Sequence, residues 1–199
     1  VAEQTIYLVR HGETEWNREG RVQGHLDSPL TARGREQARR AGLTLAELLA
    51  GEPPFELLAS PLGRAQASAE LVLEALGPLV TNRRNDDRLT EISWGRWEGM
   101  TRAEIAAREP ELWRWREADR WRHPPPDGES HVMLADRARG WLESVAVLPR
   151  LIVVGHGAWG RVLRGLYQDL RPEQIDALDE PQDALFRLAA GTVLRIPTT

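Results

Sequence analysis

The chain has 199 residues, enough for one substantial core, and its 41% apolar content with 17 glycines is ordinary for a globular protein. It has no cysteine, which excludes disulfides, zinc–thiolate centres and cysteine nucleophiles; all 26 basic residues are arginine, which excludes P-loop and Schiff-base lysine chemistry. No run approaches the roughly 18 apolar residues of a membrane helix, Glu3 and Gln4 stand where a secretory leader would be basic, and a net charge of −4 opposes broad nucleic-acid affinity, so the chain reads as cytoplasmic.

In chain order, Ile6-Tyr7-Leu8-Val9 reads as a strand that runs into Arg10-His11-Gly12-Glu13-Thr14. Thr31 caps a helix expected over residues 32–50, with Gly51 beyond its end. Phe55 to Ala59 reads as a second strand, and Pro61 opens a helix to Leu76. Arg83 to Arg88 is polar and reads as a loop. Thr101 caps a short helix through Arg108, and Pro110 opens another through Arg122, stopped by Pro124-Pro125-Pro126. Ser130 to Leu148 reads as helix, Leu151 to Val154 as a buried strand, Ala158 to Tyr167 and Pro172 to Leu178 as helices. Ala184 to Leu188 and Thr192 to Ile196 are two late strands around Gly191. Strand–helix alternation of this kind implies parallel strands joined by crossovers.

Chemistry-bearing residues gather where these strands end. Arg10 and His11 follow the first strand, and open α/β sheets bind ligands at strand C-termini. An arginine that grips phosphoryl oxygens beside an imidazole that can attack phosphorus suits phosphoryl transfer. Gly155-His156-Gly157 repeats the arrangement after the buried strand, so parallel neighbours bring His11 and His156 to one pocket. Arg64, in the first turn of its helix, adds a cation where free N–H groups already favour an anion. Glu91 is a candidate acid. Glu98 reads as a support for the Trp97-Glu98-Gly99 turn, Glu13 as an orienting residue, and His25, His123 and His131 as surface or packing residues.

The ordered set resembles the histidine phosphatase superfamily, the phosphoglycerate-mutase-like proteins. It comprises Arg-His-Gly-Glu-Thr at 10–14 with Asn17, Val22-Gln23-Gly24, Asp27 to Thr31, Gly34 and Ser60 to Ala69. It continues with Glu91 to Gly99, Gly128-Glu129-Ser130 and Gly155-His156-Gly157 with Arg161. The resemblance implies a three-layer α/β/α sandwich with a mostly parallel central sheet, in one domain spanning residues 1–199, with residues 100–130 as a helical lid. It also implies a ping-pong mechanism in which His11 becomes a phosphohistidine that water hydrolyses. Arg10, Arg64 and His156 would hold the phosphoryl oxygens, and Glu91 would protonate the leaving oxygen and then assist water. Asn17, Gln23, Gly24 and Gly157 would contact the phosphoryl group or the nearby substrate. No metal or cofactor is implied, since two guanidinium groups and a second imidazole supply the positive charge. A homodimer is compatible with the family.

The nucleophile must be neutral. Arg10 and Arg64 push the pKa of His11 down and a bound phosphate pushes it up, so the sequence leaves the net shift open; a carbonyl accepting from its other nitrogen would fix the tautomer. Glu91 must start protonated, which an apolar setting beside Trp94 or Ile92 would favour. Leu112-Trp113-Arg114-Trp115-Arg116, with Trp121 and Arg122, interleaves aromatic and basic residues, but alternate helical positions do not share a face and acidic neighbours dilute the charge. The segment reads as part of the lid. The short chain carries Trp97-Glu98-Gly99-Met100-Thr101-Arg102 where the mutases have Leu-Gln-Gly and a lysine, which resembles the phosphatase branch. The expected activity is therefore a phosphomonoesterase acting on small phosphorylated metabolites. The alternatives are a cofactor-dependent phosphoglycerate mutase and a non-catalytic phospholigand-binding module.

Overall fold

The computed structural model describes residues 4–198. The reading of Glu3 therefore lies outside the described residues. Its framework is a six-stranded sheet in the order β3-β2-β4-β1-β5-β6. Strands β1 (Thr5–Arg10), β2 (Phe55–Ala59), β3 (Val80–Asn85) and β4 (Arg150–Gly155) are parallel; β5 (Ala184–Ala189) and β6 (Thr192–Pro197) close one side as an antiparallel hairpin. In register, Arg10 lies opposite Gly155, so β1 and β4 release their chains at the same level of the sheet.

Period-two alternation splits each central strand between two cores. Ile6 and Leu8 of β1, with Leu151 and Val153 of β4, join Leu134, Trp141, Trp159 and Val162 on one face. Tyr7, Val9, Ile152 and Val154 join Ala41, Leu45, Ala69 and Val72 on the other. The first face is covered by α6 (His131–Ser144) and α7 (Gly157–Tyr167), the second by α2 (Ala32–Leu48) and α3 (Gly63–Leu76). The result is the expected α/β/α sandwich. Smaller helices α1 (Glu15–Glu19), α4 (Arg102–Arg108), α5 (Pro110–Ala118) and α8 (Pro172–Asp176) lie in the connections. No helix among the described residues is long and apolar enough to cross a membrane.

Several boundaries differ from the sequence reading. Residues 80–85 form β3 in place of part of the expected loop, with nearly every side chain exposed. An edge strand can carry polar residues on both faces, so the apolar alternation that marks inner strands is missing. Helix α5 stops at Ala118, short of Arg122, because the Asp119 side chain accepts hydrogen bonds from the Arg122 N–H and guanidinium and folds the chain into a turn. Helix α3 starts at Gly63, since Ser60 and Pro61 belong to the turn leaving β2. Helix α2 ends at Leu48, α6 at Ser144 and α8 at Asp176, each short of the expected end.

Candidate active site

The loops leaving β1 and β4 set two imidazoles edge to face, with ring centroids 5.2 Å apart. Both are almost fully buried. His11 Nδ1 donates to the Gly12 carbonyl at 2.8 Å, which fixes the proton on Nδ1 and leaves Nε2 with its lone pair. The sequence expectation of a carbonyl partner is met by the next residue. Gly12 has no room for a side chain: a Cβ there would sit 1.9 Å from the Gly34 carbonyl oxygen, where the start of α2 crosses the loop. Burial holds the His11 pKa well below the ordinary histidine value, and Arg10 and Arg64 lower it further, against the pull of the Gly12 carbonyl. The sequence reading named the two arginines; the larger cause, burial, becomes visible only in the fold.

His156 is the N-cap residue of α7, and its Nε2 lies 2.7 Å from the Ser60 hydroxyl at the end of β2. Burial, followed by Arg64, His11 and Arg10, keeps this imidazole neutral as well. A hydroxyl donating to Nε2 leaves the proton on Nδ1, which has no partner among the described residues.

Arg64 is buried and anchored to the loop that precedes α2. Its guanidinium donates to the Gly24 carbonyl at 2.7 Å, the Leu26 carbonyl at 2.8 Å and Asp27 Oδ1 at 2.8 Å. Gly24 thus holds the arginine in place. Arg10 donates to the Glu180 carbonyl. The Nε atoms of both arginines are buried without partners among the described residues. Gly157 starts α7 against Arg10, where a Cβ would stand 3.1 Å from the guanidinium carbon and 2.4 Å from Glu180 Oε2. Arg10, His11, Asn17, Gln23, Gly24, Arg64 and Glu91 line one cavity of about 200 Å³; His156 and Gly157 lie behind it against His11 and Arg10.

Asn17 and Gln23 differ in how far they are committed. Asn17 closes the capping box of α1, an element the sequence reading missed: its Oδ1 accepts from the Thr14 N–H at 3.1 Å and from Gln182 at 3.2 Å. Gln23 is buried, and its Oε1 has no partner among the described residues.

Glu91 has a setting other than the expected apolar one. Its Oε1 accepts from the Ile92 and Trp159 N–H groups, both at 3.0 Å, and its Oε2 from the Ala158 N–H at 3.1 Å. The carboxyl group therefore sits on the first turn of α7, where free N–H groups point out of the helix. Its loop is clamped from behind. Arg137 of α6 donates to the carbonyls of Arg88, Thr90 and Glu91 and pairs with Glu129, which accepts from the Ser93 N–H. Glu98 braces neighbouring segments instead of the Trp97-Glu98-Gly99 turn, accepting from the N–H groups of His25, Leu26 and Trp94 and from the Ser93 hydroxyl.

Other cavity residues carry no site role in the sequence reading. His131 lines the cavity, with Nδ1 donating to the Arg120 carbonyl and Nε2 accepting from Arg161. Burial, with Arg161 next, pushes its pKa down to about 4. It is a packing residue in part, but it also shapes the site. Arg21, Arg102, Arg120 and Glu180 contribute too, as does Arg116 from the aromatic–basic segment. Trp113 packs on buried Trp97, and Trp115 stacks on His123 away from the cavity. An arginine carries little signal in a lysine-free chain, which is why these positions did not stand out.

A neutral imidazole whose Nε2 has no partner among the described residues stands beside buried guanidinium and imidazole groups, an arrangement chemically capable of holding an anion against a nucleophile. The chain matches the model of the histidine phosphatase superfamily (branch 1) over residues 6–189, and it belongs to that superfamily. A probable phosphoglycerate mutase GpmB of Serratia proteamaculans (strain 568) is 40% identical over 156 residues, 76% of this chain and 69% of that protein. The alpha-ribazole phosphatase of Shigella flexneri superposes with a TM-score of 0.83 at 25% identity, covering 98% of this chain and 96% of that one. A mycobacterial glucosyl-3-phosphoglycerate phosphatase superposes with a TM-score of 0.76 at 30% identity, covering 92% and 90%.

Proposed function

We propose that the protein is a phosphomonoesterase that hydrolyses small phosphorylated metabolites through a phosphohistidine at His11. The observation that carries this reading is the state of His11 and its surroundings. Nδ1 is committed to the Gly12 carbonyl, while Arg10 Nε, Arg64 Nε and His156 Nδ1 are buried without partners among the described residues; with the Ser60 hydroxyl donating to His156 Nε2, all three are donors. An anion whose oxygens accept from these donors would present phosphorus to His11 Nε2 and leave no donor orphaned.

In the first half-reaction, His11 Nε2 bonds to phosphorus as the bond to the ester oxygen breaks. Glu91 gives that oxygen its proton, and the alcohol leaves. In the second, Glu91 takes a proton from water as the water oxygen attacks phosphorus; the phosphorus–nitrogen bond breaks, restoring neutral His11 and releasing phosphate. Arg10, Arg64 and His156 stabilise the charge on the three equatorial oxygens in both steps. Residues 100–130 act as a lid on the single domain, with Arg102, Arg116 and Arg120 on its inner side.

The similarity to proteins called probable phosphoglycerate mutases supports a second reading, in which the phosphoryl group returns to the substrate. Supplying 3-phosphoglycerate with catalytic 2,3-bisphosphoglycerate separates the two. The proposal expects free phosphate to outrun 2-phosphoglycerate; rapid isomerisation with little phosphate would establish the mutase. No turnover of any phosphate ester would favour a phospholigand-binding module.

A further inference from the structure

The side-chain carbonyl of Asn17 is fully committed. Its two lone pairs accept from the Thr14 N–H at 3.1 Å and from Gln182 Nε2 at 3.2 Å, so the amide nitrogen is the end left for the cavity that Asn17 lines. Gln182 Nε2 also donates to the main-chain carbonyl of His11, at 3.2 Å. A primary amide nitrogen has two hydrogens, and here one goes to the residue that carries the attacking imidazole and the other to a cavity donor. Gln182 itself does not line the cavity.

Gln182 lies 171 residues from His11 and 165 from Asn17, in the segment between α8 and β5. That segment is anchored at both ends. Arg164 of α7, buried and outside the cavity lining, stacks on Phe186 with its guanidinium carbon 3.8 Å from the ring centroid. It donates to the Asp179 carbonyl and, at 3.3 Å, to Asp179 Oδ1. Arg195 of β6 reaches Asp179 at 3.5 Å and Asp183 at 3.6 Å. Between these anchors the Glu180 carbonyl accepts from Arg10, and Pro181 restricts the backbone. The segment thus ties Arg10, His11 and Asn17 to α7 and to the β5–β6 hairpin.

We propose that Gln182 is a positioning residue that fixes the Asn17 amide relative to His11, with the amide nitrogen turned toward the bound phosphoryl group. The inference rests on the reading of the cavity as the phosphoryl site. Without Gln182, the Asn17 carbonyl is held by the Thr14 N–H alone, on a helix of five residues that has little stability of its own. Ordering the amide before the anion arrives removes part of the entropy cost of binding.

The test is a double-mutant cycle read as Kd for inorganic phosphate by calorimetry. Gln182→Met should raise Kd about fivefold, the effect of one hydrogen bond. Asn17→Ala should raise it by at least as much. In the Asn17→Ala protein, Gln182→Met should add less than about twofold, because the group that it positions is gone. A side chain that merely packed there would be missed equally in either background. Gln182→Leu provides a second neutral variant if the methionine protein does not fold.

Phosphate binding requires no turnover. A wild-type protein that binds phosphate and hydrolyses no ester would count against the phosphatase, and the cycle would still decide the role of Gln182. Additive effects of the two changes, or a Kd unmoved by both Gln182→Met and Gln182→Leu, overturn the inference.

Discussion

At the strand ends, His11 and His156 are buried and neutral, and His11, Arg64 and Glu91 are each tied to backbone groups by hydrogen bonds. Across the cavity, Arg102, Arg116 and Arg120 stand together as like charges, with Arg116 buried and poorly paired. The inner half has its geometry fixed by the sheet and by the first turns of α3 and α7. The outer half depends on short helices and side-chain pairs, such as Arg120 with Asp176 at 3.4 Å. Reaction chemistry demands fixed atoms, whereas selection of a substrate demands only complementary charge and shape. One fold can therefore keep the first region and vary the second.

Substitutions should separate these regions by size of effect. His11→Ala should lower hydrolysis of p-nitrophenyl phosphate by about 10³-fold or more while leaving the circular dichroism spectrum intact. Turnover near wild type would remove the inner site from the reaction. Glu91→Gln should cost about 10²–10⁴-fold in kcat/KM on glycerol 3-phosphate, whose alkoxide needs a proton in the first half-reaction, and much less in kcat/KM on p-nitrophenyl phosphate. Equal losses of kcat/KM on both would deny Glu91 its role as the acid.

Arg137→Met removes the clamp behind the Glu91 loop without touching the cavity lining. Its expected signature is a several-fold loss on glycerol 3-phosphate with a smaller loss on the aryl ester, measured as a ratio of kcat/KM values. A loss confined to thermal stability would make the clamp purely structural.

The last effect is read in stability and leaves the rate aside. His131 has a folded pKa of about 4, below the ordinary value of 6.5. Between those values the unfolded chain binds the proton more readily, so the contribution of His131 is fully present above about pH 6.5 and is lost as pH falls toward 4. The size is on the order of 3 kcal/mol. Tm should decline over that window, and His131→Asn should flatten the decline; an unchanged slope would place the proton uptake elsewhere.

The central strands and both histidines were legible because burial leaves a pattern. Ile6 to Val9 and Leu151 to Val154 are apolar on both faces, and each runs straight into its His-Gly pair. β3 was illegible since an exposed edge strand has no such pattern, and α1 is only five residues held by the Thr14–Asn17 box. The cradle of Glu91 could not be read either, because its donors lie 67 and 68 residues away on α7. Arg116 was visible as a residue but not as a cavity group. Its position follows from where α5 stops and from the Trp94 ring beneath it, both consequences of tertiary packing.

The phosphohistidine is the most direct test of the account. Brief exposure of the protein to a reactive phosphate ester, followed by an alkaline quench that preserves phosphoramidates, should give a mass gain of one phosphoryl group on the peptide carrying His11. The gain should be absent in His11→Ala and accumulate when water attack is slowed in Glu91→Gln with the aryl ester. Hydrolysis at the normal rate with no phosphoryl group on His11 at any time, or with the group on another residue, would contradict it.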